Sequence, residues 1–429
     1  MQHLPELYHY FLRAGKISTD TRNDVSGSIF FALSGANFNG NEYAKYALEN
    51  GAILAVIDQK EYDLDDRYFF VEDSLETLQE LARLHRSKMN CQVVGITGSN
   101  GKTTTKELIA NVLTTERKIS STKGNLNNHI GVPLTILSIE TNTEIAIVEM
   151  GANHKGEIAL LCNIAQPQFG IITNIGKAHL EGFGSFDGVK EAKNELYDFL
   201  KSSNGLAFVN QNDPLLMDLS KELKRTTYGS NSKLFKAEIK KSKPFLSISW
   251  EYNNHNYLCK TNLFGQYNAD NIYAAIATGL YFGISPEDVN NAIANYKANN
   301  NRSQLLKTET NLLILDAYNA NPVSMSAAIN YFTEYQPNNP WLVLGDMFEL
   351  GNTSREEHKK IIDLLKESPF ENILLVGKDF FSLRSNNSFV SFPNLQDADN
   401  YLAEHPIRNA EILVKGSRGI ELEKLLKHF

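Results

Sequence analysis

The sequence predicts an α/β protein of three domains, and three observations support this prediction. Short apolar runs alternate with helix-like stretches along most of the 429 residues, which is typical of parallel sheets covered by helices. A glycine-rich turn of the P-loop type at 98–104 follows an apolar run and opens a helix. Polar stretches at 86–90 and 295–301 interrupt the alternation. We therefore predict three units: a small N-terminal α/β domain at 1–88, a central P-loop parallel-sheet domain at 89–299 and a Rossmann-like C-terminal domain at 300–429.

Periodicity predicts each element in order. The N-terminal domain is expected to contain strands at 28–33 and 53–58 and helices at 42–49 and 75–87. The central domain is expected to contain strands at 93–97, 144–149, 169–174 and 206–210, an antiparallel insertion at 234–264, where the period shifts to two, and a helix at 271–281. The C-terminal domain repeats the strand-helix pattern, with strands at 312–315, 341–344, 373–376 and 412–414 and helices beginning near residues 324, 354 and 396.

Composition limits the class of protein. The net charge of -8 and the pI near 5.8 argue against a nucleic-acid or anionic-membrane surface, which needs a basic patch. The lysine-rich run at 233–243 is predicted to be a solvated strand face. Cys91, Cys162 and Cys259 lie too far apart for a zinc site or a disulfide framework and indicate a reducing compartment. Because neither a signal-peptide pattern nor an apolar run near about 18 residues is present, we expect a cytoplasmic protein without membrane insertion.

The glycine-rich turn predicts a nucleotide triphosphate site. Glycines allow backbone N–H groups to surround phosphate oxygens, Lys102 adds a positive charge, and the Thr103 hydroxyl can bind Mg²⁺ at the start of a helix. The common form of the loop has a glycine where this chain has Ile96, so a purely structural turn is the alternative. The Lys-Thr pair favours the nucleotide site, which comprises Gly98, Ser99, Asn100, Gly101, Lys102, Thr103 and Thr104.

Two polar residues follow apolar strands of the central domain. Glu149 comes directly after the run at 146–148, a costly position for a carboxylate unless its charge is paired or metal-bound. We interpret it as a metal or water ligand beside Thr103, with helix capping or an ion pair as the alternative. His179 follows the strand at 169–174, and by itself it is more typical of a hydrogen-bonded structural histidine than of a ligand.

Three further residues have two interpretations each. Lys193 lies on a predicted helix beside Glu191 and Glu195, and the sequence alone favours a solvated face with ordinary ion pairs. Asn268 and Asn271 lie at a predicted helix start. They either cap the helix or present amides to a nucleotide base, and their spacing does not separate the two.

The C-terminal domain also concentrates polar residues at strand ends. The segment 316–322 follows one predicted strand, and 345–347 and 415–418 follow two later ones. A turn explains the asparagines of the first segment but not the acid and the tyrosine that accompany them. We predict that this domain presents a ligand-binding edge of its own.

Five motifs together resemble the Mur ligases of peptidoglycan synthesis: 96–104, 124–128, 149–151, 316–322 and 345–351. The resemblance covers essentially the whole chain. The phosphate loop is common to Mur ligases and folylpolyglutamate synthases, whereas the last two motifs are the most specific. The resemblance implies an N-terminal domain for a UDP-sugar, a central ATPase domain and a C-terminal domain that brings the incoming amine.

The most specific motifs resemble the family members that join D-alanyl-D-alanine to UDP-N-acetylmuramoyl-tripeptide. This resemblance implies an ATP-dependent, ADP-forming peptide ligase that works through an acyl phosphate, in the last cytoplasmic step of peptidoglycan precursor synthesis, and we expect a monomer. The alternative is the ligase that adds the third amino acid to the UDP-dipeptide, although its Asp-Asn-Pro-Arg motif does not occur in this sequence. A folylpolyglutamate synthase, or a binding or scaffold protein without the chemistry, are less favoured alternatives.

The resemblance also implies catalytic and metal-binding residues. Lys102 is expected to neutralise phosphate charge. Thr103 and Glu149 are expected to bind a first Mg²⁺, and His179 and a carbamylated Lys193 a second. Carbamylation would convert the lysine cation into an anion, so the family resemblance reverses the interpretation that the sequence alone favours.

Further residues are implied as substrate contacts. ATP is expected to contact the loop at 98–104 and also Asn268, Asn271, Arg302 and Asp316. The uridine side of the other substrate is expected at Ser18, Asp20, Thr21 and Arg22, where Thr21 replaces the serine that is usual in the family.

Overall fold

The structure is a computed structural model that describes residues 3–240 and 243–429. The N-terminal domain consists of the helices α1 (Leu4–Ala14), α2 (Ala44–Glu49) and α3 (Ser74–Lys88) and the strands β1 (Ile17–Ser18), β2 (Ile29–Phe31), β3 (Leu54–Ile57) and β4 (Tyr68–Phe70). The strands form a parallel sheet in the order β1-β2-β3-β4. Side chains alternate across it: Ile29 and Phe31 pack with α1 and α3, and Phe30 packs with α2.

The central domain contains the strands β5 (Gln92–Thr97), β6 (Ile119–Ser121), β7 (Ile145–Glu149), β8 (Phe169–Ile172), β9 (Leu206–Asn210), β10 (Lys224–Tyr228), β11 (Lys236–Lys240), β12 (Phe245–Tyr252) and β13 (His255–Phe264). Its helices are α4 (Lys102–Leu113), α5 (Gly131–Leu137), α6 (Glu157–Ala165), α7 (Leu180–Phe183), α8 (Phe186–Ser202), α9 (Pro214–Leu219), α10 (Ala269–Tyr281) and α11 (Pro286–Asn295). Six strands form a parallel sheet in the order β10-β9-β8-β5-β7-β6, and β11, β12 and β13 form the antiparallel insertion that the period of two predicts.

The C-terminal domain contains the strands β14 (Gln304–Lys307), β15 (Leu312–Asp316), β16 (Pro340–Gly345), β17 (Asn372–Val376), β18 (Val390–Phe392) and β19 (Glu411–Lys415), with the helices α12 (Pro322–Tyr335), α13 (Ser354–Glu367), α14 (Lys378–Ser382) and α15 (Leu395–Glu404). The sheet order is β14-β15-β19-β16-β17-β18, in which β14 runs antiparallel to β15 and the remaining pairs are parallel. Short 3-10 helices occur at Gly40–Tyr43, Lys60–Tyr62, Gln266–Asn268, Gly351–Thr353, Arg384–Asn386, Arg418–Ile420 and Leu422–His428.

The predicted fold class is confirmed, and the strands that the sequence prediction missed share one property. β1, β4, β6, β10, β14 and β18 all lie at the edge of a sheet. An edge strand has a neighbour on one side only and is partly solvated, so its sequence mixes polar and apolar residues. The apolar runs that periodicity detects belong to the inner strands, where both faces are covered.

Two smaller expectations concern the surface. On β11, Lys236, Glu238 and Lys240 are exposed, while Ala237 and Ile239 are half-buried. The lysine-rich run is therefore a solvated strand face over this strand. Residues 241 and 242 of the run lie outside the described residues. Across the described part of the chain, every helix is too short or too polar to span a bilayer. The domain limits at 88/89 and 299/300 stay a prediction.

Candidate active site

A cavity of about 790 Å³ lies where the carboxyl edge of the central sheet faces the C-terminal domain. β5 pairs with both β7 and β8, so the segments that follow these three strands converge. Open α/β sheets bind ligands at this edge. The residues that line the cavity from the two domains include Lys102, Glu149, His179, Asn271, Asp316 and Asn321.

The glycine-rich turn is shaped for close approach of a ligand to its backbone. Gly98 has φ +141°, and a Cβ there would lie 2.0 Å from the Thr173 hydroxyl oxygen. Gly101 has φ +79°, and a Cβ there would lie 2.5 Å from the Asn271 side-chain oxygen. Only glycine fits at these two positions. The turn leads directly into α4, and Gly101, Lys102 and Thr104 at the start of this helix line the cavity. A helix N-terminus in this position is suited to bind phosphate.

Lys102 folds back over this turn. Its Nζ donates to the carbonyl oxygens of Gly98 at 2.7 Å and of Ser99 at 3.3 Å. Burial lowers the pKa of Lys102 to about 8, against a smaller opposing effect of the Glu149 carboxylate. The amino group therefore has two carbonyl partners and, among the described residues, no ion pair. A phosphate bound in the turn would restore the pKa and give the cation a charged partner.

Glu149 is a buried carboxylate with one oxygen left over. It is 1% exposed, and its Oε1 accepts from Thr103 Oγ1 at 3.1 Å and from Asn127 Nδ2 at 2.8 Å. Within the described residues, Oε2 is buried without a hydrogen-bond partner. A buried, unpaired carboxylate oxygen is costly, and the adjacent hydroxyl makes this donor set suitable for a hard cation such as Mg²⁺. In the part of the chain that the structure describes, Glu149 forms neither a helix cap nor an ion pair.

His179 lines the cavity, and Lys193 is buried beside Ala152, another residue of the cavity wall. His179 Nδ1 contacts the Glu349 carboxylate of the C-terminal domain, and both residues have left-handed backbones with φ 54° and 62°. Such strained positions are typical of functional sites. Lys193 is 1% exposed, its Nζ donates to Ala152 O at 3.4 Å, and it lies 5.2 Å from the Phe183 ring centroid.

The solvated-face interpretation of Lys193 is wrong. The flanking acids are engaged elsewhere: Glu191 pairs with Lys155, and Glu195 accepts from the backbone N–H groups of Gly156 and Ala159 at the start of α6. Lys193 instead points into the domain, where burial and the nearby Lys102 cation lower its pKa to about 7. Helix periodicity does not reveal this, because it is the packing of α6 and α7 on α8 that encloses this side chain.

The two asparagines at the start of α10 form a buried chain of amides. Asn268 Nδ2 donates to Phe264 O at 2.7 Å, Asn271 Nδ2 donates to Asn268 Oδ1 at 2.9 Å, and Thr105 Oγ1 donates to Asn271 Oδ1 at 3.0 Å. Neither side chain caps the helix. Both line the cavity, so their capping interpretation is wrong, and contact with a nucleotide base stays a prediction.

The C-terminal domain contributes a charged edge to the cavity. Asp316 accepts from Ser303 N–H at 3.0 Å and from the buried Lys415 at 2.5 Å. The Arg302 guanidinium lies 3.7 Å from the ring centroid of Tyr318. The sequence analysis includes Lys415 only as part of the polar segment 415–418. Its ion pair with Asp316 joins residues 99 positions apart, which a local pattern does not predict.

Part of the edge predicted for this domain does not face the cavity. Asp346 accepts from the backbone N–H groups of Asp379 and Phe380, both at 2.9 Å, at the start of α14. Nearby, His358 Nε2 accepts from Met347 N–H at 3.0 Å, which leaves that nitrogen unavailable to a metal. The expectation that 345–347 presents a ligand is therefore wrong for Asp346, whose position stabilises the domain. Within the longer motif 345–351, the residue that lines the cavity is Glu349, which the sequence analysis does not single out.

The residues expected on the uridine side lie outside this cavity, in the turn after β1. Asp20 and Arg22 form an exposed ion pair with Nη2 and Oδ2 2.7 Å apart, and the Arg22 guanidinium lowers the pKa of Asp20 to about 2. Ser18 is buried, and Thr21 lies between the two charged residues. Their role stays a prediction.

Known proteins resemble this chain over nearly its full length. The Mur ligase middle domain matches residues 96–279, and the Mur ligase, glutamate ligase domain matches 301–418. The UDP-N-acetylmuramoyl-tripeptide–D-alanyl-D-alanine ligases of Bacillus subtilis (strain 168) and Escherichia coli (strain K12) are 34% and 32% identical to it. Each alignment covers 96% of this chain and 92% of the relative.

Solved structures agree with these relatives. MurF from Acinetobacter baumannii superimposes with a TM-score of 0.85 at 30% identity, over 96% of this chain and 92% of that one. MurF ligase from Thermotoga maritima in complex with ADP gives 0.84 at 28% identity, over 96% of both chains. A UDP-N-acetylmuramoyl-L-alanyl-D-glutamate–2,6-diaminopimelate ligase superimposes with a TM-score of 0.54 at 15% identity, a similarity that shows the fold alone. The chain belongs to the Mur ligase family.

Proposed function

We propose that this Mur ligase joins D-alanyl-D-alanine to UDP-N-acetylmuramoyl-tripeptide and converts ATP to ADP and phosphate. The cavity carries the proposal, because it places the phosphate loop of the central domain opposite Asp316 and Asn321 of the C-terminal domain. A reaction that combines a nucleotide, an acid and an amine needs such a shared space. The relatives at 34% and 32% identity are named for this ligation.

The chemistry has two steps. The terminal carboxylate of the tripeptide attacks the γ-phosphorus of ATP, so that an acyl phosphate forms and ADP leaves. The amine of D-alanyl-D-alanine then attacks the acyl carbon, the C–O bond to phosphate breaks and the nitrogen loses a proton. The protein contributes positioning and charge neutralisation rather than a covalent group. The N–H groups of the loop and Lys102 would hold the phosphate oxygens, as their geometry allows.

We assign the first Mg²⁺ to Thr103 and Glu149. The unpaired, buried Oε2 of Glu149 and the hydroxyl beside Oε1 fit a cation. When bound, Mg²⁺ supplies neutralisation of the phosphate charge that develops as the leaving group departs. Glu149 orients the Thr103 hydroxyl at the start of α4, so the donor set is in place in the protein itself.

We assign the second Mg²⁺ to His179 and to a carbamylated Lys193. A buried amine whose pKa is lowered to about 7 is about half neutral near pH 7, and the neutral form can attack CO₂, forming an N–C bond and releasing a proton. The anion that results would remove the repulsion between Lys193 and Lys102. The polar contact of Lys193 Nζ to Ala152 O at 3.4 Å is weak, so the conversion would disrupt little of the structure.

The remaining substrate contacts follow from the placement of their residues. Asn268, Asn271, Arg302 and Asp316 line the cavity beside the phosphate loop and are proposed to hold the adenosine part of ATP. Ser18, Asp20, Thr21 and Arg22, at the carboxyl end of β1, are proposed to hold the uridine part of the second substrate.

We further propose that the enzyme works as a monomer in the cytoplasm. One chain supplies both walls of the cavity, and all three cysteines are buried and unpaired, which suits a reducing compartment. Sedimentation at assay concentration tests the first proposal, and a dimeric species that carries the activity would contradict it.

The test of the ligation is phosphate release from ATP and Mg²⁺ with UDP-N-acetylmuramoyl-tripeptide, with and without D-alanyl-D-alanine. We expect release to require both substrates and mass spectrometry to detect the pentapeptide product. Release with the UDP-dipeptide and a free amino acid instead would assign the preceding step of the pathway. Phosphate release in the absence of both the UDP-linked tripeptide and D-alanyl-D-alanine would indicate a simple ATPase and would contradict the proposal.

A further inference from the structure

An amide–amide hydrogen bond connects the phosphate loop to the C-terminal domain. Asn321 Nδ2 donates to Asn100 Oδ1 over 2.7 Å, between residues 221 positions apart. Asn321 is 7% exposed and precedes α12. Asn100 lies in the turn between β5 and α4, and both side chains line the cavity. The contact therefore joins the expected ATP site to the domain that brings the amine.

The start of α12 determines which end of the Asn321 amide faces the loop. Asn321 Oδ1 accepts from Ser324 N–H at 2.9 Å, and Asn321 N–H donates to Ser324 Oγ at 3.1 Å, which completes a capping box. A backbone N–H can only donate, so the oxygen of the Asn321 side chain must face the helix. The Nδ2 group is then the end that remains for Asn100.

The orientation of Asn100 follows from that of Asn321. Because Asn321 offers a donor, Asn100 presents its oxygen, and its own Nδ2 points away. The Asn100 backbone is held as well, since its N–H donates to Asn174 Oδ1 at 3.0 Å and its carbonyl accepts from Thr173 Oγ1 at 2.6 Å. Among residues 3–240 and 243–429, no acceptor is recorded for Asn100 Nδ2. A fixed donor without a partner thus lies within the loop expected to surround phosphate.

We propose that Asn321 is a positioning residue that holds the Asn100 amide with its N–H₂ end toward the phosphates of ATP. A reversed amide would present an oxygen to phosphate oxygens, and two acceptors repel. Because Asn321 belongs to the C-terminal domain, the loop has its full set of donors only when this domain lies against the central one. The inference deepens the proposed function and rests on ATP as the ligand of this loop.

The test reverses the amide without removing the helix cap. Asn321→Asp still accepts from Ser324 N–H, and aspartate is a good capping residue, but it offers an oxygen to Asn100, whose amide must then turn round. Asn100→Ala removes the group that turns. The double variant Asn100→Ala/Asn321→Asp retains the new charge but has no side-chain amide at residue 100 that could turn round. Asn394→Asp is the matched control, because Asn394 caps α15 in the same domain by accepting from Asp397 N–H.

The readout is the dissociation constant of a non-hydrolysable ATP analogue with Mg²⁺, measured by calorimetry, with melting temperatures as a check of folding. We expect Asn321→Asp to weaken binding about tenfold, the size of a lost hydrogen bond to a charged group. In the Asn100→Ala background the same change should have no further effect, and Asn394→Asp should bind as the wild type does. A merely structural role of Asn321 would not depend on residue 100.

Two results would overturn the inference: wild-type affinity in a folded Asn321→Asp variant, or an equal loss in both backgrounds, which would indicate charge repulsion alone. Because the analogue is not turned over, the measurement does not require the proposed peptide substrates. A wild-type protein that fails to bind the analogue would contradict the proposed function itself, and the two failures are therefore distinguishable.

Discussion

Glu149 and Asp346 occupy equivalent places in two different sheets, and only one of them faces the cavity. Each is a buried carboxylate that comes at the end of an apolar parallel strand, β7 or β16, and they are 1% and 2% exposed. Both oxygens of Asp346 accept from backbone N–H groups at the start of α14. Glu149 Oε2 has no partner within the described residues.

The difference between these two acids lies in how completely their hydrogen bonds are satisfied. A carboxylate whose acceptors are filled by the backbone holds its own domain together, and a ligand would have to displace those bonds. A carboxylate with a buried, unfilled acceptor is stable only when something else binds it. A strand-end acid is therefore a candidate ligand, and hydrogen-bond satisfaction separates the ligand from the structural residue.

The largest effect expected on the cavity side of this comparison is that of Lys102→Ala. We expect at least about a 10³-fold loss of phosphate release, because the cation that stabilises phosphate charge is removed, while the melting temperature stays near that of the wild type. Lys106→Met is the matched control on the same helix. It removes a buried amino group that donates to Thr122 O and should change stability more than turnover. Substantial residual activity in folded Lys102→Ala would contradict the prediction.

Glu149→Gln tests the unfilled acceptor directly. We expect turnover to fall about 10²- to 10³-fold, because a neutral amide is a poor ligand of Mg²⁺. The melting temperature should be unchanged or higher, since an unpaired buried charge disappears. Activity and thermal unfolding are measured on the same preparation. A strong loss of stability would show that the Glu149 charge supports the fold, as that of Asp346 does.

Lys193→Ala tests the second cation site. We expect about a 10²-fold loss of activity, the size typical of losing a group that holds a metal, and partial recovery when a small carboxylate is added. The recovery should occur because the added anion can occupy the space of the proposed carbamate. Assays in buffer depleted of CO₂ provide the second readout. An unchanged wild-type rate after depletion would contradict the carbamate.

Asp346→Asn should give the smallest effect on catalysis. We expect the free energy of unfolding to fall by about 2 kcal/mol. The asparagine has one acceptor oxygen in place of two and carries no charge, so the backbone N–H groups of Asp379 and Phe380 can no longer both be well paired. The rate of phosphate release should change by less than about threefold, as for a substitution away from the chemistry. Denaturant unfolding and the phosphate assay measure the two quantities. A large rate loss at unchanged stability would place Asp346 with Glu149 among the ligands.

Much of this fold could be predicted from the sequence, and the exceptions have a physical cause. Inner strands such as β7 and β9 have continuous apolar runs because both faces are covered. The edge strand β10, with the sequence Lys-Arg-Thr-Thr-Tyr, lacks that signal. Without the family resemblance, the residues alone favour a solvated Lys193, because neighbouring acids on a helix usually pair with a lysine. Only the packing of other helices encloses this side chain.

The sequence by itself determined the order of strands and helices, the phosphate loop and the side chains placed at strand ends, because these depend on interactions between residues close in the chain. The tertiary structure decided which of those side chains meet. His179 contacts Glu349 and Asn100 accepts from Asn321 across the two domains, and Asp346 turns to the start of α14 instead. Hydrogen bonds between residues far apart in the chain depend on how whole domains pack. A local sequence pattern does not determine that packing.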